Sequence, residues 1–268
     1  MRNIIIMSIA MLMLAGIAFA GDQLVITGST TVLPIAQACA EDFMDNNPNT
    51  DITVRGGGSG VGIAALLDSQ CDIAISSRDI KSSEVDAARE KGIEPVEHVV
   101  ALDALAVVVH PKNNVSKLTT EQVKDIFTGK ITNWSQVGGA NRKIVLVSRD
   151  VSSGTFEVFK DVILKGDAVH ESALKVASNQ AVATTVASTP DGIGYIGLGY
   201  LNKNVKDIAL NGVKASVKDA QSGQYPLTRK LNMYSNGNPT GTAKAYLDYI
   251  FSKEGQAIVA ELGFVPVK

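Results

Sequence analysis

Four times in this chain a short apolar run gives way to a turn of small polar residues and then to helical spacing. The turns are Gly28-Ser29-Thr30-Thr31, Arg55 through Gly62, Ser76-Ser77-Arg78-Asp79 and Arg149 through Thr155. Strands that alternate with helices in this way point to an α/β fold of open, mainly parallel sheets flanked by helices. In such sheets ligands sit beyond the carboxyl ends of the strands, where all four turns would lie.

The Arg149 turn has the most explicit chemistry. It follows the apolar run Ile144 to Val147 and leads into Phe156, Val158, Phe159 and Val162. A helix begins with unpaired N–H groups and the positive end of its dipole, so Ser153, Gly154 and Thr155 offer donors to one oxyanion. Arg149 adds a planar fork that can hold two oxygens of a tetrahedral anion. The same residues also suit a plain N-cap beside a surface arginine.

Ser29, Thr30 and Thr31 precede a helix entered through Pro34, with a stripe of Ile35, Ala36, Cys39, Ala40, Phe43 and Met44. Three successive hydroxyls behind a glycine exceed what one cap requires. Gly56 to Gly62 surround Ser59 but match neither the dinucleotide-binding nor the P-loop pattern, leaving a donor nest or a flexible turn.

Elsewhere, Val99 to Leu102 and Leu105 to Val109 are apolar runs around Asp103, and Thr119 to Phe127 has helical spacing. A long helix is expected from the Arg149 turn to Lys165, a helical stretch from about Ala168, and another over Gln180 to Ala187. Asp191 to Gly197 and Tyr225 to Tyr234 read as strands, and two helices end the chain.

Several function classes are disfavoured. Arg2, the apolar run Ile4 to Phe19 and Ala18-Phe19-Ala20 form a leader with a cleavage signal, so residues 1–20 are expected to be removed on export; an uncleaved anchor is the other reading. The net charge of −2, one tryptophan and no basic stripe argue against nucleic acid. Cys39 and Cys71 allow one disulfide or two buried thiols, and the three histidines are scattered, so no metal set or cofactor is expected.

Gly28 through Pro34, Gly56 through Gly60, Ser76-Ser77-Arg78, Asp125 through Trp134, Arg149 through Thr155 and Asp191 through Tyr195 together resemble the phosphate-binding proteins of bacterial phosphate ABC importers. The resemblance implies a two-lobed periplasmic binding-protein fold of type II. Its discontinuous first lobe would comprise 21–102 and 229–268, its second lobe 103–228, with crossings near Leu102 to Ala104 and Thr228 to Leu231. It implies phosphate ligands at Ser29, Thr30, Thr31, Ser59, Ser77 and Arg78 on one lobe, and at Arg149, Ser153, Gly154 and Thr155 on the other. It also implies a monomer in the periplasm, no enzymatic activity, and a membrane ABC permease as partner. Some members of that family have an aspartate aligned with Ser77 that accepts the proton of hydrogen phosphate and repels sulfate; a serine accepts without repelling. Asp79 either replaces that acid or pairs with Arg78. Sulfate, molybdate or another oxyanion is therefore the nearest alternative ligand, and a secreted phosphoester hydrolase using Ser59 or Ser153 is the alternative from another class.

Overall fold

The computed structural model describes residues 22–267, so the leader expected over 1–20 lies outside the described residues. β1 (Asp22–Gly28) leads into α1 (Leu33–Asn46), β2 (Thr50–Gly56) into α2 (Ser59–Leu67), and β3 (Ile73–Ser76) into α3 (Ser82–Glu90). These three strands are parallel, with β1 between the others. The predicted stripe of α1 is the buried one: Ile35, Ala36, Cys39, Ala40 and Phe43 face the core. Gly28 and Gly62 let β1 and α2 touch, because a methyl on Gly62 would lie 2.6 Å from the Gly28 Cα.

β4 (Pro95–Val109) is one strand where the sequence reads as two apolar runs. It is followed by β5 (Lys117–Leu118), α4 (Thr120–Phe127), β6 (Val145–Arg149), α5 (Gly154–Phe159), β7 (Leu174–Val176), α6 (Asn179–Ser188) and β8 (Gly192–Gly197). The chain then forms β9 (Lys206–Asp207), β10 (Ala209–Leu210), α7 (Val217–Gln221), β11 (Thr228–Asn236), α8 (Gly241–Ile250) and α9 (Lys253–Glu261). Among the described residues the main sheet runs β2-β1-β3-β11-β4-β8-β6-β7, with β9 also on β4, while β5 and β10 pair separately. β4 is continuous because Asp103 stands in register opposite Arg229 of β11. Its charge is neutralised in place and does not interrupt the ladder.

The expected helical stretch from Ala168 is not there. The helical path of α5 ends in one π-helical turn, Lys160–Leu164, after which Lys165 and Gly166 both take the left-handed conformation and reverse the chain. The segment that returns supplies β7, which pairs with the otherwise open edge of β6. The strand expected from Tyr225 starts at Thr228, because the Tyr225 hydroxyl turns inward to donate to the Leu105 carbonyl at 2.8 Å.

Two large apolar clusters divide the interior. One contains Leu24, Ile35, Phe43, Ile75, Ala101, Leu231 and Tyr246; the other contains Ala104 to Val109, Phe127, Phe159, Tyr195 and Leu227. Allegiance changes along β4 between Ala101 and Ala104, and again between Leu227, just before β11, and Leu231 within it. Cys39 and Cys71 are separate buried thiols, and burial pushes each up to about 12. Among the described residues no helix is long and apolar enough to cross a membrane.

Candidate functional site

The polar turns meet where the two clusters face each other. Ser29, Thr30, Thr31, Ser59, Ser77, Arg78, Arg149, Ser153 and Thr155 are all buried despite their polarity. Buried polar side chains persist only where other polar groups satisfy them, so this concentration is a built feature.

The β1 turn places its hydroxyls by local bonding. Ser29 Oγ accepts from the Thr31 N–H at 3.1 Å and so caps the turn before α1. Ser59 Oγ accepts from the Ser77 N–H at 3.0 Å and lies 3.3 Å from Ser77 Oγ, which joins the starts of α2 and of the turn after β3. Four glycine amides of the loop are engaged within the protein. The Gly57 and Gly58 amides both donate to the Gly28 carbonyl, Gly62 donates to Gly58, and Gly60 donates to the Ser152 carbonyl at 3.0 Å. That last bond ties the loop to the Arg149 turn.

Ser153 is the N-cap of α5, accepting from the Phe156 N–H at 3.2 Å, so the simple capping reading of this residue holds alongside any other role. Arg149 goes further than a surface arginine. Its side chain is 1% exposed; Nε donates to the Val176 carbonyl at 3.2 Å and Nη2 to the Ala177 carbonyl at 2.9 Å. The buried Nη1 has no hydrogen-bond partner. Burial lowers the Arg149 pKa, against the opposing pull of Asp150. The Tyr195 hydroxyl accepts from the Arg149 N–H, and its ring stacks on Phe159 at 3.9 Å, so packing fixes the backbone that carries the guanidinium.

Arg78 is placed differently. Its Nη1 and Nη2 form a fork on Glu84 at 2.8 and 2.7 Å, and Nε lies 2.9 Å from Glu157 of α5, which also pairs with Lys81 at 2.7 Å. Burial alone would lower the Arg78 pKa, but the two carboxylates raise it overall. Arg78 thus links the two halves through Glu157. Asp79 does not pair with it through its carboxylate; Asp79 Oδ1 accepts from Asn232 at 3.3 Å, and only its carbonyl meets Arg78.

Thr31 and Thr155, one from each half, lie 3.0 Å apart through their hydroxyls. Around them stand residues that sequence reading passed over. Asn179, at the start of α6, donates to Thr31 at 2.9 Å; Arg229 donates to both Thr31 and Thr155 at 3.1 Å. Asp103 holds Arg229 at 2.7 Å, and the Tyr200 hydroxyl donates to the Thr30 carbonyl. The signal for two of them was present: an acid or a cation inside an apolar strand needs a partner, and Asp103 and Arg229 are each other's.

Gly154 packs so closely on the opposite half that a methyl there would overlap Ser59 Oγ and lie 2.9 Å from Ser77 Oγ. Gly154→Ala is expected to weaken anion binding by on the order of tenfold or more, the effect of about 1 to 3 kcal/mol of overpacking at this contact. Titration calorimetry checks it, and unchanged affinity would show that this contact is absent when ligand is bound.

Comparison with known proteins agrees with this architecture. The family model described as a PBP superfamily domain matches residues 15–254. The phosphate-binding protein PstS of Bacillus subtilis is 37% identical over 250 residues, covering 92% of this chain and 82% of that protein. A substrate-binding protein from Clostridium perfringens, solved with bound phosphate, is 32% identical with a TM-score of 0.87; the match covers 92% of this chain and all of that one. An ABC-type phosphate transport receptor from Vibrio cholerae is 31% identical with a TM-score of 0.74, the match covering 90% and 99% of the two chains. The chain therefore belongs to the PBP superfamily and, within it, to the family of the PstS proteins.

Proposed function

We propose that this protein captures inorganic phosphate between its two lobes and delivers it to a membrane ABC permease. The observation that carries the reading is Arg149, a buried guanidinium with one donor nitrogen left unpartnered. Asp150, 3.6 Å from Nη2, offsets part of the buried charge, and the unpartnered Nη1 leaves a charged donor that a small oxyanion among hydroxyls would satisfy. The relatives' descriptions, which name phosphate binding and phosphate transport, support the same ligand.

The proposed ligand set is Ser29, Thr30, Ser59, Ser77, Arg149, Ser153, Gly154 and Thr155, with Thr31 standing behind Thr155, its hydroxyl bonded to Asn179, Arg229 and Thr155. Arg78 belongs at its edge, where its pairing with Glu157 holds the lobes together. The proposed hinges are Leu102 to Ala104 and Thr228 to Leu231, supported by the change of core at both places. Closure dehydrates the anion and brings the two halves of the site into contact. About ten hydrogen bonds to a charged ligand, at roughly 1.5 to 3 kcal/mol each, exceed the −8 to −12 kcal/mol of micromolar to nanomolar binding; desolvation and ordering absorb the difference. The protein acts as a monomer in the periplasm, after removal of the leader, and binds its ligand without turnover.

Titration calorimetry with phosphate and with sulfate tests the reading, beside a phosphatase assay on the same sample. We expect saturable heat with phosphate, weaker binding of sulfate, and no hydrolysis. An absence of phosphate binding, or equal affinity for sulfate, would remove phosphate as the specific ligand.

A further inference from the structure

Thr31 Oγ1 has Asn179 Nδ2 at 2.9 Å, Arg229 Nη2 at 3.1 Å and Thr155 Oγ1 at 3.0 Å. A hydroxyl accepts two hydrogen bonds and donates one, whereas amide and guanidinium nitrogens only donate. The orientation of the Asn179 amide is set by its other end, where Oδ1 accepts from the Gly197 N–H at 3.2 Å. Arg229 is set by Asp103, which accepts from Nε at 3.0 Å and Nη2 at 2.7 Å, and Asp103 is held in turn by the Leu198 N–H at 2.9 Å. Asn179 and Arg229 therefore fill both lone pairs of Thr31, and the Thr31 proton goes to Thr155. Thr155 Oγ1 also accepts from Arg229 Nη1 at 3.1 Å. With its own lone pairs filled, Thr155 has only a proton left to offer.

We propose that Asn179 and Arg229 are positioning residues that fix the hydroxyl direction of the Thr31–Thr155 pair, so that Thr155 meets the bound anion as a donor and never as an acceptor. This rests on the phosphate reading and adds to it an orientation for the ligand's proton. An unprotonated oxygen must face Thr155. The Ser59–Ser77 pair has no such constraint: one backbone amide donates to Ser59, and the two hydroxyls, 3.3 Å apart, can run in either direction. The protonated oxygen of hydrogen phosphate is therefore directed to the serine side, and the dianion is preferred to the monoanion at the threonine side.

The charged and titratable groups near the pair include Arg229, Asp103, Arg149, Asp150, Tyr195 and Tyr200, and at the edge of the site Arg78 with Glu84 and Glu157. Burial pushes Tyr195 and Tyr200 up to about 12, beyond the second ionisation of phosphate. Burial also raises Asp103 against the pull of Arg229, and neither variant removes the hydrogen bonds that Asp103 accepts from Arg229 and the Leu198 N–H.

The test is calorimetry of inorganic phosphate binding on both sides of its second ionisation, with wild type, Asn179→Ala and Thr155→Val, each first checked for cooperative thermal unfolding. Every polar group of Asn179 is engaged within the protein, so a purely structural role would weaken binding equally at all pH values. We expect Asn179→Ala to bind the dianion about tenfold more weakly with little change for the monoanion, the loss of about one charge-assisted bond. The affinity of the variant then rises less with pH than that of wild type. Thr155→Val is expected to flatten the profile in the same way, and it carries the comparison alone if the asparagine variant does not fold. Profiles parallel to that of wild type overturn the proposal while leaving phosphate binding intact. Wild type that binds no phosphate overturns both.

Discussion

Arg149→Ala is expected to lower phosphate affinity by roughly a hundredfold to ten-thousandfold, because in the proposed ligand set Arg149 supplies about two charge-assisted hydrogen bonds of about 1.5 to 3 kcal/mol each. No neighbouring cation is placed to substitute. Arg78 is held by Glu84 and Glu157, and Arg229 by Asp103. Arg149→Lys should fall between wild type and alanine. It keeps the charge, but a single ammonium cannot hold the Val176 and Ala177 carbonyls and the anion together as the planar fork does. Calorimetry on the three proteins decides the matter, and alanine binding within a few-fold of wild type would place the ligand elsewhere. Because the same guanidinium bonds two buried carbonyls, the alanine protein should also unfold at lower temperature without ligand.

The second large effect concerns folding. Asp103 has no exposure at all and Arg229 very little, and they pair across register-matched positions where the two long strands pass between the cores. Removing one member of a buried ion pair strands the other charge, so Asp103→Ala should cost about 3 to 5 kcal/mol and lower Tm by on the order of 10 °C. Replacing both, as Asp103→Ala with Arg229→Met, should cost less than the sum of the single changes, since neither charge is then left alone. Denaturant unfolding of the four proteins completes the cycle. Strictly additive losses would mean that the pair is not coupled, and the hydrogen bonds placing Arg229 against Thr31 and Thr155 would then need another support.

Much of the fold could be read directly. The stripe in α1, the apolar runs of β1, β3 and β6, and the polar turns at their carboxyl ends all rest on interactions between residues near in sequence. The errors share a cause. The apparent helix from Ala168 has helical composition, but the open edge of β6 captures part of it as β7, and Asp103 looks like a break until the strand opposite supplies Arg229. Edge capture and charge pairing depend on partners tens of residues or more away, which local periodicity does not encode.

The candidate site divides along the same line. Residue types and their position after strands drew attention to Ser29, Thr30, Thr31, Arg149, Ser153, Gly154 and Thr155, because helix starts and strand ends are local features, while Ser59, Ser77 and Arg78 were implied as ligands only by the family resemblance. Tertiary structure alone turned Arg78 toward Glu84 and Glu157, tied the glycine loop to Ser152, and placed Asn179, Arg229 and Asp103 behind the threonine pair. A sequence names which groups are able to donate or accept. Which of them remain free for a guest is settled only when every neighbour, near or distant along the chain, has taken its own hydrogen bonds.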